Sequence, residues 1–352
     1  MGRSSNNFGA LRLFFAVLVI LSHSFELVDG DRSREILTRI FGTLSFGELG
    51  VDGFFLISGY LITKSFQDSR SAGEYVLKRV LRIYPGYVVA YLLCVLALGP
   101  FVGGQLAALS IVKELWRMVL LKAPDMEGVF AGTPAAVLDG SMWTIKYEFL
   151  CYLLVLAVGL IGLLSNRVLL SLLTIGLLAL SALHPNTWGW FPGRLIIFLG
   201  EPDKIVHFIG VFGCGALFYL YRDRIQYDWR LAIFAVCGLM VLMFSPRLAE
   251  AALSILGGYL LFWFAFNVKS QTLAAVWQKV DVSYGVYLYA WPVQKLLIWL
   301  VAGISPWLVF IQTIVIAGII AFGSWVLVEK PLLNLKAAFV PVVKAERGSA
   351  AE

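Results

Sequence analysis

Residues 12–23, RLFFAVLVILSH, carry an arginine and a histidine at the two ends of one strongly apolar segment. In an α-helix their separation is three turns plus about 20°, so both side chains lie on nearly one face, roughly 16 Å apart along the axis. Ionisable groups inside a bilayer are costly, roughly 2.5–3.5 kcal/mol for Arg on insertion scales, and usually have a function. The pair therefore predicts an enzyme that works inside the membrane.

The composition indicates a helical membrane protein with little room for a soluble domain. Of the 352 residues, 60% are hydrophobic and 14% are charged, whereas soluble domains carry about 25% charged residues. The net charge of +6 does not indicate nucleic-acid binding, because cytoplasmic loops of membrane proteins collect Lys and Arg. Cys94, Cys151, Cys214 and Cys237 lie in apolar runs without metal-ligand spacing. We interpret them as small buried hydrophobic residues rather than disulfide partners.

Ten segments are long and apolar enough to be candidate spans, each of which needs about 20 residues. They are residues 8–28, 47–66, 83–104, 142–163, 167–184, 205–221, 230–245, 250–268, 283–303 and 307–328. The sequence thus predicts an all-α, polytopic transmembrane helical bundle of about ten spans. The integral-membrane domain covers residues 1–335, and residues 336–352 form a short cytoplasmic tail predicted to be disordered. No small-residue cleavage site follows the first apolar run, so we expect no signal peptide.

Lysine and arginine residues set the predicted orientation. With the N-terminus inside, 17 of them fall on the cytoplasmic side and 9 on the outer side, while Lys146 and Lys295 lie within spans. This bias predicts that both termini are cytoplasmic.

Two of the predicted outer segments are distinctive. Residues 105–141 contain IVKELWRMVLLKAP, which is typical of an amphipathic helix lying on the membrane. Residues 185–204 contain PNTWGWFPGR, whose aromatic residues form either an interfacial belt, the more ordinary interpretation, or a platform for sugar rings.

Three ionisable side chains within predicted spans are candidate catalytic residues. The imidazole of His23 suits general-base chemistry near neutral pH. Asp52 either stabilises the start of the second span through the helix dipole or orients His23. Glu148 is a carboxylate within the fourth span that needs a partner, so we expect it either to orient His23 or to act as a second acid or base.

A basic group precedes the third span. Arg79 and Arg82 are three residues apart and share a helix face. Positive-inside bias alone predicts basic residues here. The functional interpretation is an anion clamp for the phosphates of a cytoplasmic donor, which suits fork-like guanidinium groups.

Five segments, in this order, resemble the acyltransferase-3 family of membrane-bound O-acyltransferases. They are the Arg-x10-His pair, GVDGFFLISGYLI at 50–62, the Arg79-x-x-Arg82 pair with the following Ile-Tyr-Pro, SMWTIKYE at 141–148, and SYGVYLYAWP at 283–292 with a final EKP. The resemblance covers about residues 8–333. Each motif alone is weak, whereas five in the right order are a strong signal.

The resemblance implies a multi-pass protein of the bacterial inner membrane that acylates hydroxyl groups of surface or exported glycans. The donor is a cytoplasmic acyl-CoA, commonly acetyl-CoA, and no metal or nucleic acid takes part. The other partners are a polysaccharide or lipid-linked glycan acceptor and the lipid bilayer. His23 is the essential base, supported by Arg12. Where many relatives have a histidine in the late YLxHxP stretch, this chain has Ala290.

The remaining candidate residues belong to the same motifs. We expect Arg12, Arg79, Arg82 and Tyr84 to meet the donor. The aromatic residues expected to contact substrate are Trp143, Tyr147, Tyr284 and Tyr287.

A rival function is transport. His23 and Glu148 would form the proton relay of a carrier or flippase for lipid-linked sugars. The Arg79/Arg82 pair discriminates between the two, because a transporter has no need of coenzyme A. A sensor or scaffold fits less well with five polar clusters in or beside spans. Direct transfer to the acceptor and a two-step relay through an acylated protein group both remain open.

Overall fold

The computed structural model describes residues 6–183, 199–268 and 281–339, and within these ranges the regular structure is entirely helical. The helices are α1 (Phe8–Asp29), α2 (Ile36–Phe41), α3 (Phe46–Gln67), α4 (Ala72–Leu92), α5 (Ile111–Val119), α6 (Trp143–Leu160), α7 (Arg167–Leu183), α8 (Pro202–Leu220), α9 (Trp229–Leu242), α10 (Ala249–Asn267), α11 (Ser283–Leu300), α12 (Pro306–Ser324) and α13 (Lys330–Phe339). Wider π-helical turns extend α4 at Leu93–Leu98, interrupt α10 at Leu253–Gly257 and join α12 to α13 at Trp325–Glu329.

Seven helical stretches in the described ranges are long and apolar enough to cross a bilayer. They are Phe8–Asp29, Phe46–Gln67, Ala72–Phe101, Trp143–Leu160, Pro202–Leu220, Ala249–Asn267 and Pro306–Asn334. The apolar helices α7 and α9 are shorter, with 17 and 14 residues. α11 has 18 residues but contains Gln294 and Lys295. The all-helical class is confirmed, whereas ten spans and cytoplasmic termini stay predictions.

The centre of the bundle is α3, which packs between α1 and α8. Gly59 of α3 faces the backbone of Phe212, and Gly215 of α8 faces the backbone of Leu56. A Cβ atom on either glycine would overlap those backbone atoms. Small residues therefore set the close approach of α3 and α8, as they do in many membrane helix pairs. α11 packs against α1 and α12 and completes the core.

The connection between α1 and α3 folds back on the bundle around a buried carboxylate, Glu35. Its oxygens accept hydrogen bonds from the hydroxyls of Ser22 and Thr38 at 3.2 Å, and from the backbone amide of Phe46. Burial raises the pKa of Glu35. α3 itself begins with a capping box formed by Ser45 and Glu48.

The amphipathic helix predicted within residues 105–141 is present as α5. Its apolar side chains are largely exposed, with Ile111 at 77% and Trp116 at 60%. Two tyrosine hydroxyls of α4 fasten this segment, because Tyr84 donates to the carbonyl of Val119 at 2.8 Å and Tyr87 donates to that of Lys122 at 2.5 Å.

One cysteine prediction is wrong. Cys94, Cys151 and Cys214 are buried, but Cys237 is exposed. It lies on α9, a peripheral helix whose contacts are chiefly with α10.

Two predictions lie outside the described residues. They concern the aromatic stretch at 185–198 and the tail beyond residue 339.

We expect Gly59→Ala to lower the free energy of unfolding by about 1–3 kcal/mol, because overpacking forces the backbones of α3 and α8 apart. The measurement is the temperature at which the detergent-solubilised protein loses its monodisperse peak in size-exclusion chromatography. Gly318→Ala is the control, because its new Cβ would meet no atom within 4 Å. Equal stability of the two variants would contradict the packing argument.

Candidate active site

Two neighbouring cavities in the described part of the bundle each contain one end of the Arg-x10-His pair. The arginine chamber, about 320 Å³, contains Arg12. The histidine chamber, about 220 Å³, contains His23. The other polar residues that matter below are Lys78, Arg79, Arg82, Glu148 and Tyr284 in the arginine chamber, and Asp52, Trp143, Lys204, His207 and Glu250 in the histidine chamber.

A thin partition separates the chambers. Val51, Thr144 and Tyr287 line both of them. The Tyr287 hydroxyl donates to the carbonyl of Ser141 at 2.8 Å and lies 2.6 Å from the Thr144 hydroxyl. Two ligands, one in each chamber, would therefore be separated at this partition by two or three side chains only.

His23 is held by Glu26, one helical turn later. His23 Nδ1 lies 2.9 Å from Glu26 Oε2. Since a carboxylate only accepts hydrogen bonds, the proton belongs on Nδ1, and in the neutral ring Nε2 keeps its lone pair. No described residue forms a hydrogen bond with Nε2, and the ring lines the histidine chamber. This is the arrangement of a general base with an orienting carboxylate.

The connection after α1 supports Glu26 in turn. Arg32 donates from Nε and Nη2 to Glu26 Oε2 at 3.2 and 2.9 Å, and from Nη1 to the Ser45 hydroxyl at 3.0 Å. The edge of the His23 ring packs on Trp291, with ring centroids 4.7 Å apart. The imidazole is therefore fixed from two sides.

A second histidine, His207 of α8, has a different environment. Its Nε2 lies 2.8 Å from Asp52 Oδ1 and its Nδ1 lies 3.1 Å from Glu250 Oε2. Both nitrogens can donate at once only in the imidazolium form, which has no lone pair for a substrate proton. His207 therefore serves as a fixed cation between two acids, and His23 is the better base.

The contacts do not support the expectation that Asp52 or Glu148 orients His23, because Glu26 occupies that place. Asp52 contacts His207 instead, and Glu48 rather than Asp52 caps α3. Glu148 lies in the arginine chamber, where its Oε1 accepts from the hydroxyls of Ser58 at 2.5 Å and Tyr152 at 2.6 Å. A catalytic role for Asp52 and Glu148 remains a prediction.

Arg12 and Arg82 share one carboxylate, Asp281, which precedes α11. The distances to Asp281 Oδ2 are 3.3 Å from Arg12 Nη1 and 2.7 Å from Arg82 Nη2. Glu329 lies 3.8 Å from Arg82. Burial alone would raise the pKa of Asp281, but the two arginines outweigh it and lower the pKa to about 2. The shared carboxylate neutralises much of this positive charge.

Of the three arginines that line the arginine chamber, Arg79 is the one that shares no described carboxylate. No described carboxylate lies within 4 Å of it; Nη2 donates to the Ser65 hydroxyl at 3.2 Å. Its guanidinium lies over the rings of Tyr75 and Tyr152, at 5.8 and 5.7 Å. These aromatic faces hold the cation while its remaining donors stay available to an anion.

The comparisons with known proteins give the family of the chain. Residues 6–329 match a family model described as an acyltransferase domain. The chain belongs to the acyltransferase-3 family. The match spans nearly the whole chain, so the resemblance carried by the five motifs is confirmed, and the protein is a membrane acyltransferase.

Two curated relatives align over almost their full length with this acyltransferase. One is named O-acetyl transferase, from Shigella phage Sf6, with 28% identity over 94% of this chain and 96% of its own. The other is named Nodulation protein 10, from Rhizobium leguminosarum bv. viciae, with 27% identity over 95% of each chain. No solved structure matches the chain significantly.

The predicted aromatic residues of the acyltransferase separate by place. Tyr284 lines the arginine chamber, Tyr287 lies in the partition, and Trp143 lines the histidine chamber. Tyr147 lies outside both chambers, where its hydroxyl accepts from the Glu201 amide at 2.9 Å. Tyr84 also lies outside the arginine chamber, and its hydroxyl donates to the carbonyl of Val119, the last residue of α5.

Sequence reasoning missed Glu26, Arg32, His207 and Asp281 as members of the site. A usable signal existed for His207, which is an ionisable residue within a predicted span. Glu26 also had one, since it lies three residues after His23 and so shares its face. Arg32 and Asp281 lie at helix ends, where charged residues are ordinary. In the described ranges, no group of His, Cys, Asp and Glu side chains could hold a metal ion.

The loop that places Ser141 against Tyr287 contains a buried acid, Asp139. Burial raises its pKa to about 7, against the hydrogen bonds from Ser141 that lower it. The folded protein therefore binds this proton more tightly than the unfolded chain, and stability declines as pH rises from about 4 through about 7.

We expect the melting temperature of the wild type to fall between about pH 4 and pH 7, and Asp139→Asn to remove part of that decline. The measurement is thermal unfolding in detergent at a series of pH values. Asp125→Asn is the matched control, because that side chain is in the same loop and is 61% exposed. A pH dependence unchanged by Asp139→Asn would contradict the assignment.

Proposed function

We propose that this acyltransferase moves an acyl group, most simply acetyl, from acyl-CoA to a hydroxyl of a cell-surface or exported polysaccharide or glycolipid. The observation that carries the proposal is the pair of chambers with one shared wall. An arginine available to an anion lines one chamber, and a base held by a carboxylate lines the other. The relative named O-acetyl transferase supports acetyl as the acyl group.

Coenzyme A enters the arginine chamber. Its phosphates meet Arg79 and Lys78, and its pantetheine arm extends toward Thr144 and Tyr287. The charge bias of the sequence orients this chamber toward the cytoplasm, where acyl-CoA is made. The proposed location is accordingly the inner membrane of a bacterium.

The acceptor hydroxyl approaches His23 from the histidine chamber. Nε2 takes the hydroxyl proton as the oxygen attacks the thioester carbonyl, so that a C–O bond forms and the C–S bond breaks. The proton held by His23 then passes to the departing thiolate of coenzyme A. Glu26 stabilises the imidazolium that exists between these steps. The side chains of Thr144 and Tyr287, whose hydroxyls are hydrogen-bonded to each other, form the wall against which the thioester is placed.

Direct transfer is the simpler route. A relay needs a nucleophile that is acylated first. None of the four cysteines lines either chamber in the described part of the chain. The two chambers instead bring donor and acceptor to one partition, which removes the need for a carrier group.

We expect His23→Ala to reduce acyl transfer by about 10²–10⁴-fold without loss of folding, because it removes the general base. Radiolabelled acetyl-CoA is given to purified protein with and without a crude envelope-glycan extract, and the label in glycan is counted. Glu26→Gln is expected to lower kcat with unchanged KM for acetyl-CoA. Phe14→Ala is the control on the same helix, with an exposed side chain. Full transfer by His23→Ala would overturn the base assignment, and label kept on protein without acceptor would establish the relay.

We expect Arg79→Ala to raise the KM for acetyl-CoA by about 10-fold or more, as loss of a charge-assisted phosphate contact would. Arg224→Ala is the matched control, since that arginine is exposed and lies outside the arginine chamber. The measurement is initial rate against donor concentration, with kcat and KM reported separately. An unchanged KM would mean that Arg79 does not bind the donor and contributes only to the positive charge that orients the protein in the membrane.

A further inference from the structure

A third cavity, of about 350 Å³, adjoins the histidine chamber. Three lysines line it: Lys122 after α5, Lys146 in the first turns of α6 and Lys204 in the first turn of α8. Glu201 is the one acid among its described lining residues, and Trp143 and Lys204 also line the histidine chamber. We call this cavity the lysine pocket.

The lysines of this pocket come from three separate segments, so their convergence is a property of the fold. Like charges gathered at one cavity repel one another, and that cost is offset when an anion binds between them. The position of the pocket in the bundle also supports anion binding. By the charge bias this is the outer end of the bundle, where lysines are less frequent than on the cytoplasmic side.

We propose that the lysine pocket binds the phosphate or diphosphate that joins the acceptor glycan to a membrane lipid. This inference rests on the proposed function. Lysine ammonium groups are common phosphate ligands. The pocket lies where α6 and α8 begin, and Leu121 and Ala123 give it an apolar side.

Trp143 connects the phosphate to the chemistry. Its ring is 39% exposed and lies between the lysine pocket and the histidine chamber, with the Lys204 ammonium 5.7 Å from its centroid. A phosphate in the pocket places the next sugar of the same molecule on Trp143, inside the chamber that contains His23. The acceptor is then a glycan still attached to its lipid, and acylation occurs close to the lipid end.

The test is binding of farnesyl diphosphate to the full-length protein in phosphatidylcholine nanodiscs, by isothermal titration calorimetry. Lys122→Gln and Lys204→Gln should each weaken binding by about fivefold or more, as loss of a charge-assisted contact predicts. Lys122→Arg keeps the charge and should retain most of the affinity. Lys113→Gln is the matched control, because Lys113 is an exposed lysine of α5 that does not line the pocket.

The comparison ligands separate the sources of phosphate. Farnesol should not bind measurably, and inorganic pyrophosphate should bind more weakly than farnesyl diphosphate. Equal affinity for pyrophosphate would overturn the lipid-linked assignment. Complete loss of farnesyl diphosphate binding in phosphatidylglycerol nanodiscs would assign the pocket to an ordinary phospholipid head group and also overturn it.

Failure of this inference and failure of the proposed function give different results. Unchanged affinity in Lys122→Gln and Lys204→Gln, with normal transfer from acetyl-CoA, would refute the lysine pocket alone. Farnesyl diphosphate binding without any donor binding or turnover would refute the acyl-CoA reaction alone.

Discussion

The structure depends on how charged side chains inside an apolar bundle are neutralised. An unpaired ion in a low-dielectric interior is expensive, whereas a paired one with satisfied hydrogen bonds is tolerated. Asp281 neutralises Arg12 and Arg82, and His207 joins Asp52 to Glu250. These pairs connect α1, α4 and α11 at one end of the bundle and α3, α8 and α10 at the other. Among the described residues, Arg79 has no carboxylate within 4 Å and His23 Nε2 has no hydrogen bond, so these are the groups that we propose to meet the substrates.

The sequence predicted the helices well because each span must satisfy its own backbone hydrogen bonds, which makes long apolar runs decisive. It also drew attention to His23 and Arg12, since an ionisable residue within an apolar helix is visible without any structure, and to Arg79, which forms a basic pair with Arg82 before the third predicted span. The partners were harder to find. Asp281 lies more than 190 residues from Arg82 in sequence. Glu148 and His23 both lacked a partner in the sequence pattern, which suggested that they pair with each other, but they line different chambers. Pairing is a property of three-dimensional packing, which a linear charge pattern does not contain.

The residues that neighbouring cavities share show the order of the cavities along the bundle. The arginine chamber and the histidine chamber share Val51, Thr144 and Tyr287, while the histidine chamber and the lysine pocket share Trp143 and Lys204. In the proposed reaction, donor, reacting groups and acceptor anchor would thus occupy a continuous series of sites. The close approach of α3 and α8 through Gly59 and Gly215 fixes the positions of these cavities relative to one another, because α3 contributes Val51 and α8 contributes Lys204.

The partition also has a consequence for the cell. If the two chambers were joined, protons and ions could flow through the protein down their gradients. The ring of Tyr287 and the side chains of Thr144 and Val51 interrupt that path. A two-carbon acyl group is small enough to be handed across such a barrier, whereas coenzyme A and a glycan are not. In the proposed reaction, the same three residues that bring the reactants together would therefore also keep protons and ions from crossing the membrane.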